Sequence, residues 1–206
     1  MKQGSFYTLG YAGALGSVCA LLLTAASSFT APYRLANADA EMKRNILDVL
    51  GVRYSPDASS RQLLEVFAAK VKQEDSGELT LYRYIPPADS GEVETVAVAF
   101  AGPGLWGPIK GLIALGPDAE TIRGLTFYEQ EETPGLGGEI ASQSFREQFE
   151  GKKIVDEAGN VGIIIKSGGQ SAINKVDAIT GATMTCDKVE VILNEAVRKI
   201  VKEFKK

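Results

Sequence analysis

The sequence predicts an α+β fold: a largely antiparallel twisted sheet flanked by helices, preceded by one N-terminal transmembrane helix. Three observations lead there. No charged residue occurs from Gln3 to Tyr33. A succession of β-branched and apolar segments, separated by Gly/Pro turns, fills the middle of the chain. The last twenty or so residues repeat apolar positions at helical spacing, and helices on either side of sequential strands define the class.

The uncharged run is long enough to cross a hydrocarbon core, which takes about 20 residues. Phe6, Tyr7 and Tyr11 toward one end, and Phe29 and Tyr33 toward the other, suit the two membrane interfaces. Ala12, Gly16 and Ala20 recur every fourth residue, a spacing that lets a second helix approach. The competing reading is a cleaved signal peptide, but its apolar region is usually only about 7–15 residues long. Length therefore favours a retained anchor. Charge leaves the orientation open, because Lys2 opposes Arg34, Lys43 and Arg44.

Beyond the anchor, residues 37–50 place Met42, Ile46, Val49 and Leu50 on one face and stop at Gly51, a helix with a glycine C-cap. A second helix is expected from Ser60 to Glu74, with Leu63, Leu64, Phe67 and Val71 inward. Strands follow at 78–84, 92–102, 109–116 and 121–130, then a weak helix at 139–149 and a strand at 161–167. Asp75–Gly77 and Pro86–Gly91 read as loops. The final helix puts Val189, Ile192, Leu193, Ala196, Ile200 and Phe204 on one stripe. The expected divisions are 1–34 as anchor, 35–75 as a helical neck and 76–206 as the α+β domain.

Composition narrows the chemistry. The chain has 206 residues, no histidine and two cysteines, Cys19 and Cys186. Triads built on Ser-His-Asp or Cys-His are excluded, as are the usual imidazole-based zinc sites. A net charge of -4 with no basic cluster argues against nucleic acid. No G-x-G-x-x-G stands between a strand and a helix, so the sequence carries no nicotinamide-binding fingerprint. Any redox chemistry needs a borrowed reactive group.

The segment "VDAITGATMTCDK" sets three threonines just ahead of the final helix. With the helix opening near Cys186, Thr185 is its N-cap. Thr183 then stands at the mouth, where unpaired N–H groups and the helix dipole favour an anion. Gly181 and Ala182 allow close approach. From residue types alone, ordinary capping and an anion site both remain open.

Three blocks together resemble a known family. "DAITGAT" (Asp177 to Thr183) is similar to the D-x-x-[S/T]-G-A-T sequence on which a flavin transferase attaches FMN. "GLTFYEQEETPGLGGEI" (Gly124 to Ile140) and "GPGLWGPIKGLIAL" (Gly102 to Leu115) resemble blocks of the C-type subunit of the sodium-translocating NADH:quinone reductase, in the family's order. The G-type subunit of the Rnf electron-transport complex is a more distant likeness.

The resemblance implies a flavoprotein subunit with covalent FMN, joined by a phosphoester to Thr183, that relays electrons within a sodium-translocating NADH:quinone reductase. It places Asp177, Thr180, Gly181 and Ala182 in the attachment motif with Thr185 just after it at the cofactor, and Glu132, Thr133, Leu136 and Gly137 around the ring. Asp177 reads either as a direct contact or as an Asx-turn. Trp106 either shields the flavin or fills the core, and Met184 is expected to pack inside. The implied partners are other membrane subunits and the flavin transferase. The implied location is the bacterial inner membrane, single-pass, with the soluble domain on the periplasmic side. Alternatives are a component like the G-type protein of an Rnf-type complex, or a stand-alone extracytoplasmic FMN reductase.

Overall fold

A computed structural model describes residues 3–76, 79–87, 90–168 and 172–204. Expectations resting on Lys2, Gly77, Glu78, Ala88 and Asp89 lie outside these residues. The chain divides into two units, Met1–Glu41 and Met42–Lys206. Within the first, helix α1 (Gln3–Val49) carries the apolar run. It is long and apolar enough to cross a membrane, with a mean hydropathy of 1.7 over its most apolar stretch and none of that stretch buried. The sequence suggested a separate helix from residue 37, but α1 runs on through Pro32. A proline removes one main-chain donor and crowds the preceding turn, and neither effect ends this helix.

In the second unit α1 closes with a Schellman pair: Gly51 N–H donates to Asp48 and Val52 N–H to Leu47, with Gly51 at φ 71°. Helix α2 (Ser60–Lys70) opens on a capping box between Ser59 and Gln62 and buries Leu63 and Phe67. It stops four residues before the expected Glu74. Residues from Val71 leave the helix because β2 offers them an edge. β1 (Val71–Ser76) pairs antiparallel with β2 (Leu79–Tyr84) in register from Val71↔Tyr84 to Ser76↔Leu79. The segment expected to be a neck thus supplies an edge strand and a helical layer to the folded unit.

Three further strands complete an antiparallel meander: β3 (Thr95–Pro103), β4 (Pro108–Leu115) and β5 (Ile122–Glu129), in the order β1-β2-β3-β4-β5. Side-chain alternation splits the core into two layers. Tyr82, Tyr84, Ala97, Leu112 and Ala114 face the end of α1 and α2, meeting Ile46, Leu47, Leu63 and Phe67. Leu81, Val96, Val98, Ile113 and Phe127 face the other way, against α4 (Thr183–Phe204). Val189, Ile192, Leu193, Ala196, Val197 and Ile200 are its buried stripe, and each large side chain there contributes about 1.5–3 kcal/mol of transfer free energy. Phe204, expected on that stripe, is 39% exposed.

The weak helix at 139–149 resolves into a 3-10 turn, Gly137–Ala141, and α3 (Gln143–Glu147) with Ser142 as N-cap. The strand expected at 161–167 shrinks to β6 (Ile164–Ile165), paired parallel with β7 (Lys175–Val176). Much of the missing pairing is replaced by α4 side chains. Asn194 accepts from Ile163 N at 2.6 Å and donates to Ile163 O at 2.9 Å, and Glu190 accepts from Ile165 N at 2.7 Å. The polar side chains of α4 thus serve as a surrogate strand edge.

Asn194→Ala should therefore lower the unfolding free energy by about 1–3 kcal/mol, since it leaves a half-buried backbone pair without partners. Glu195→Ala, at an exposed position on the same helix, should change it by less than about 0.5 kcal/mol. Urea unfolding of the detergent-solubilised chain, followed by Trp106 emission, measures both.

Candidate functional site

Three segments converge beside the first turn of α4. They are the tip of the β3–β4 hairpin (104–107), the loop leaving β5 (130–137) and the motif turn 179–183 that leads into the helix. Together they line a cleft of about 250 Å³, whose walls include Leu105, Trp106, Glu132, Thr133, Leu136, Gly137, Gly181, Ala182, Thr183, Met184 and Thr185. Of the eleven residues singled out from sequence, nine lie in these walls, and Asp177 and Thr180 do not. A larger cleft of about 440 Å³ lies between α2 and the β1–β2 pair, but no motif residue lines it.

Helix α4 begins at Thr183, three residues earlier than the sequence suggested. The first turn bond runs from Cys186 N–H to Ala182 O at 3.0 Å. The N–H groups of Thr183, Met184 and Thr185 therefore have no acceptor within the helix. Ala182, in the capping position, has no side-chain oxygen to offer them. This corrects the reading of Thr185 as N-cap. Thr185 is 2% exposed and its hydroxyl donates away from the helix mouth, to Glu132 Oε2 at 2.7 Å. Thr183, by contrast, is exposed at the mouth itself.

The motif turn is rigidly made. Ala182 N–H donates to Ile179 O at 3.1 Å, and Gly181 takes φ 81°, as the third residue of a type II turn requires. Ile179 N–H donates to Cys186 Sγ at 3.3 Å, and burial pushes that thiol's pKa up. Just upstream, Gln148 accepts from Asp177 N at 2.9 Å and donates to Asp177 O at 3.4 Å. The backbone of Asp177 is thus anchored behind the cleft rather than in its wall, while Thr180 sits exposed at the turn's corner. Gln148 and Cys186 gave no signal in the sequence, because their partners are main-chain atoms of a distant segment and of a turn.

The β5 loop mirrors this turn. Thr133-Pro134-Gly135-Leu136 closes with Leu136 N–H on Thr133 O at 3.1 Å, and Gly135 has φ 74°. It presents Leu136 at 44% exposure. The two turns touch: a Cβ on Gly181 would lie 3.2 Å from Leu136 Cδ2. Glu132, 4% exposed, accepts at Oε1 from Leu105 N at 2.8 Å and Trp106 N at 3.3 Å. Trp106 is 72% exposed, which decides against its filling the core. Met184, expected to pack inside, is 66% exposed and lines the cleft. Its position supplies the reason: it falls off the buried stripe of α4. Leu105 also joins the wall; its place beside Trp106 in "GLWG" was the available signal.

Comparison with known proteins matches residues 104–198 to the family model of the FMN-binding domain. The resemblance to that domain spans just under half of the chain. The C-type subunit of the Na(+)-translocating NADH-quinone reductase of Pasteurella multocida (strain Pm70) is 40% identical over 107 residues, 52% of this chain and 41% of that protein. The corresponding protein of Vibrio alginolyticus is 28% identical over 226 residues, 89% of this chain and 86% of its own length. Across the most similar stretches, then, the chain spans only about 41–42% of the length of the curated relatives it matches. The crystal structure of Shewanella oneidensis NqrC superposes with a TM-score of 0.67 at 25% identity, over 76% of this chain and 90% of that one. The corresponding reductase component from Parabacteroides distasonis has the same fold, with a TM-score of 0.70 at 24% identity over 84% and 96%.

The cleft, most of whose wall lies in the matched segment, fits a flavin nucleotide chemically. Leu105, Trp106, Leu136 and Met184 are large apolar side chains left uncovered by the core, a surface suited to a flat ring system. The α4 mouth offers three N–H groups and a positive dipole end to a phosphate. Gly181→Ala should cost about 1–2 kcal/mol, from the left-handed backbone alone. It should also displace Leu136, which it would touch. Urea unfolding of the detergent-solubilised chain reports the first effect, and the Leu136 methyl chemical shifts report the second.

Proposed function

We propose that this chain is a membrane-anchored flavoprotein subunit that carries FMN on Thr183 and relays electrons within an NADH:quinone reductase of the sodium-translocating type. The observation that carries the reading is the exposed Thr183 hydroxyl at the uncapped N-terminus of α4, on the rim of an apolar cleft. The homologues are C-type subunits of that reductase, and the FMN-binding domain is present here.

Attachment is a phosphoryl transfer. The Thr183 oxygen bonds to the flavin-side phosphorus of FAD, the pyrophosphate bond breaks, and AMP departs with the bonding electrons. The hydroxyl proton passes to a base of the flavin transferase, a partner enzyme that also supplies the metal. The first-turn N–H groups of α4 would hold the charge of that phosphoester at the helix mouth. Bound FMN supplies one- and two-electron transfer, and the chain fixes its place and limits solvent access.

Leu136, on its Pro-Gly turn, lies against Gly181 and so borders the motif turn directly. Leu105 and Trp106 form the wall contributed by the hairpin, and Met184 borders the helix mouth. The anchor, α1, holds the domain at the membrane beside the other subunits. We place the folded domain on the periplasmic face, where a covalent tether prevents loss of a cofactor that is not readily replaced there. In this scheme 1–34 is the anchor, 35–75 leads into the sheet, and 76–206 is the FMN-binding α+β domain.

Co-expression with an active flavin transferase tests the assignment. Intact mass should rise by one FMN minus water, and the gel band should fluoresce yellow-green. Thr183→Val should lose both, whereas Thr183→Ser should keep both, because only the hydroxyl is required. A fluorescent band in Thr183→Val would overturn the linkage.

A further inference from the structure

Glu132 is a carboxylate at 4% exposure whose two oxygens serve three segments. Oε1 takes the Leu105 and Trp106 N–H groups, and Oε2 takes the Thr185 hydroxyl. Its own N–H donates to Gln130 Oε1 at 2.7 Å, which fixes the loop from which the side chain projects. None of these partners is a cation, so the buried charge is held by dipoles alone. Such bonds to an ionised acceptor are roughly twice as strong as neutral ones.

The surrounding glycines are explained by the same group. A Cβ on Gly104 would lie 2.5 Å from Glu132 Oε1. One on Gly137 would lie 2.9 Å from Oε2 and 2.5 Å from Thr185 Oγ1. Any side chain at either position would evict the carboxylate from its seat. Gly104 belongs to the hairpin block, Glu132 and Gly137 to the β5-loop block, and Thr185 follows the attachment motif. One carboxylate therefore joins the first two blocks to the helix turn that continues the third.

We infer that Glu132 is a positioning residue: it ties the Trp106 hairpin to the first turn of α4, so that Trp106, Leu136 and Thr183 border one cleft. The functional part of this inference rests on the proposed flavin site. The sequence reading placed Glu132 against the cofactor directly. Its oxygens are instead committed to the protein, and it acts on the pocket through Leu105, Trp106 and Thr185. A neutral isostere keeps most of the clamp, since a glutamine oxygen accepts the two N–H groups and its amide faces the Thr185 hydroxyl. Alanine removes every bond.

The test begins with the flavin-free, full-length chain in detergent. Trp106 is the sole tryptophan, so its fluorescence anisotropy reports the hairpin alone. In Glu132→Ala, anisotropy should fall and exchange of the Leu105 amide should accelerate on the order of tenfold or more. Glu132→Gln should restore both toward the parent. Should the alanine variant fail to fold, Thr185→Val decides: exchange at Leu105 should rise about twofold or more although Thr185 does not touch it. In the flavinylated chain, Glu132→Ala should brighten flavin emission as Trp106 leaves the pocket, and Glu132→Gln should not. Unchanged anisotropy and exchange in Glu132→Ala, or unchanged exchange in Thr185→Val, overturns the clamp whatever the flavin does. A parent chain that takes no flavin, while Leu105 exchange still responds, overturns the proposed function and leaves the clamp standing.

Discussion

The arrangement of this site depends on the Glu132 carboxylate, buried among main-chain N–H groups and one hydroxyl. Removing such a group from water is expensive unless nearly every lone pair is used. Here the compensation comes from three chain segments at once, so the cost is met only when all of them are in place. A carboxylate that is stable only in the assembled geometry makes that geometry the one with lowest free energy. The loops that meet at the cleft are thereby fixed to one another.

The meander and its two helical layers set up this convergence. β3 and β4 project the Trp106 hairpin past the edge of the core, and β5 ends beside it. α4 crosses the same face of the sheet with its N-terminus toward both loops, and its buried stripe fixes that crossing. The packed core therefore aims three unsatisfied N–H groups at one place. A type II turn on each side, centred on Gly135 and Gly181, brings Leu136 to the attachment motif. Leu105, Trp106, Leu136 and Met184 remain exposed around Thr183.

Much of this was legible in the sequence. The uncharged run, the strand succession and the final amphipathic helix are periodic, and period survives without tertiary knowledge. The helix-to-strand change at Val71 was not legible, because Val71–Ser76 becomes a strand only beside β2. The shortened β6 failed for a related reason: Asn194 and Glu190 replace strand partners with side chains from far along the chain. Most residues of the candidate cleft were legible through the motif blocks, but their contacts were less so. Thr185 looked like a cap because the start of α4 was placed three residues late. Glu132 looked like a ligand contact because nothing local discloses that its partners are Leu105, Trp106 and Thr185. Asp177 belongs to the motif yet does not line the cleft, and its backbone is held by Gln148.

The central claim is that one hydroxyl among several at the helix mouth bears the cofactor. Trypsin should release Val176–Lys188, which contains Thr180, Thr183 and Thr185 together. Fragmenting that peptide from the matured chain distinguishes the three. The flavin phosphate is expected on Thr183 alone, since Thr185 is buried against Glu132 and Thr180 sits at the corner of the turn, outside the cleft. Flavin found on either neighbour, or on a peptide from elsewhere in the chain, would contradict it.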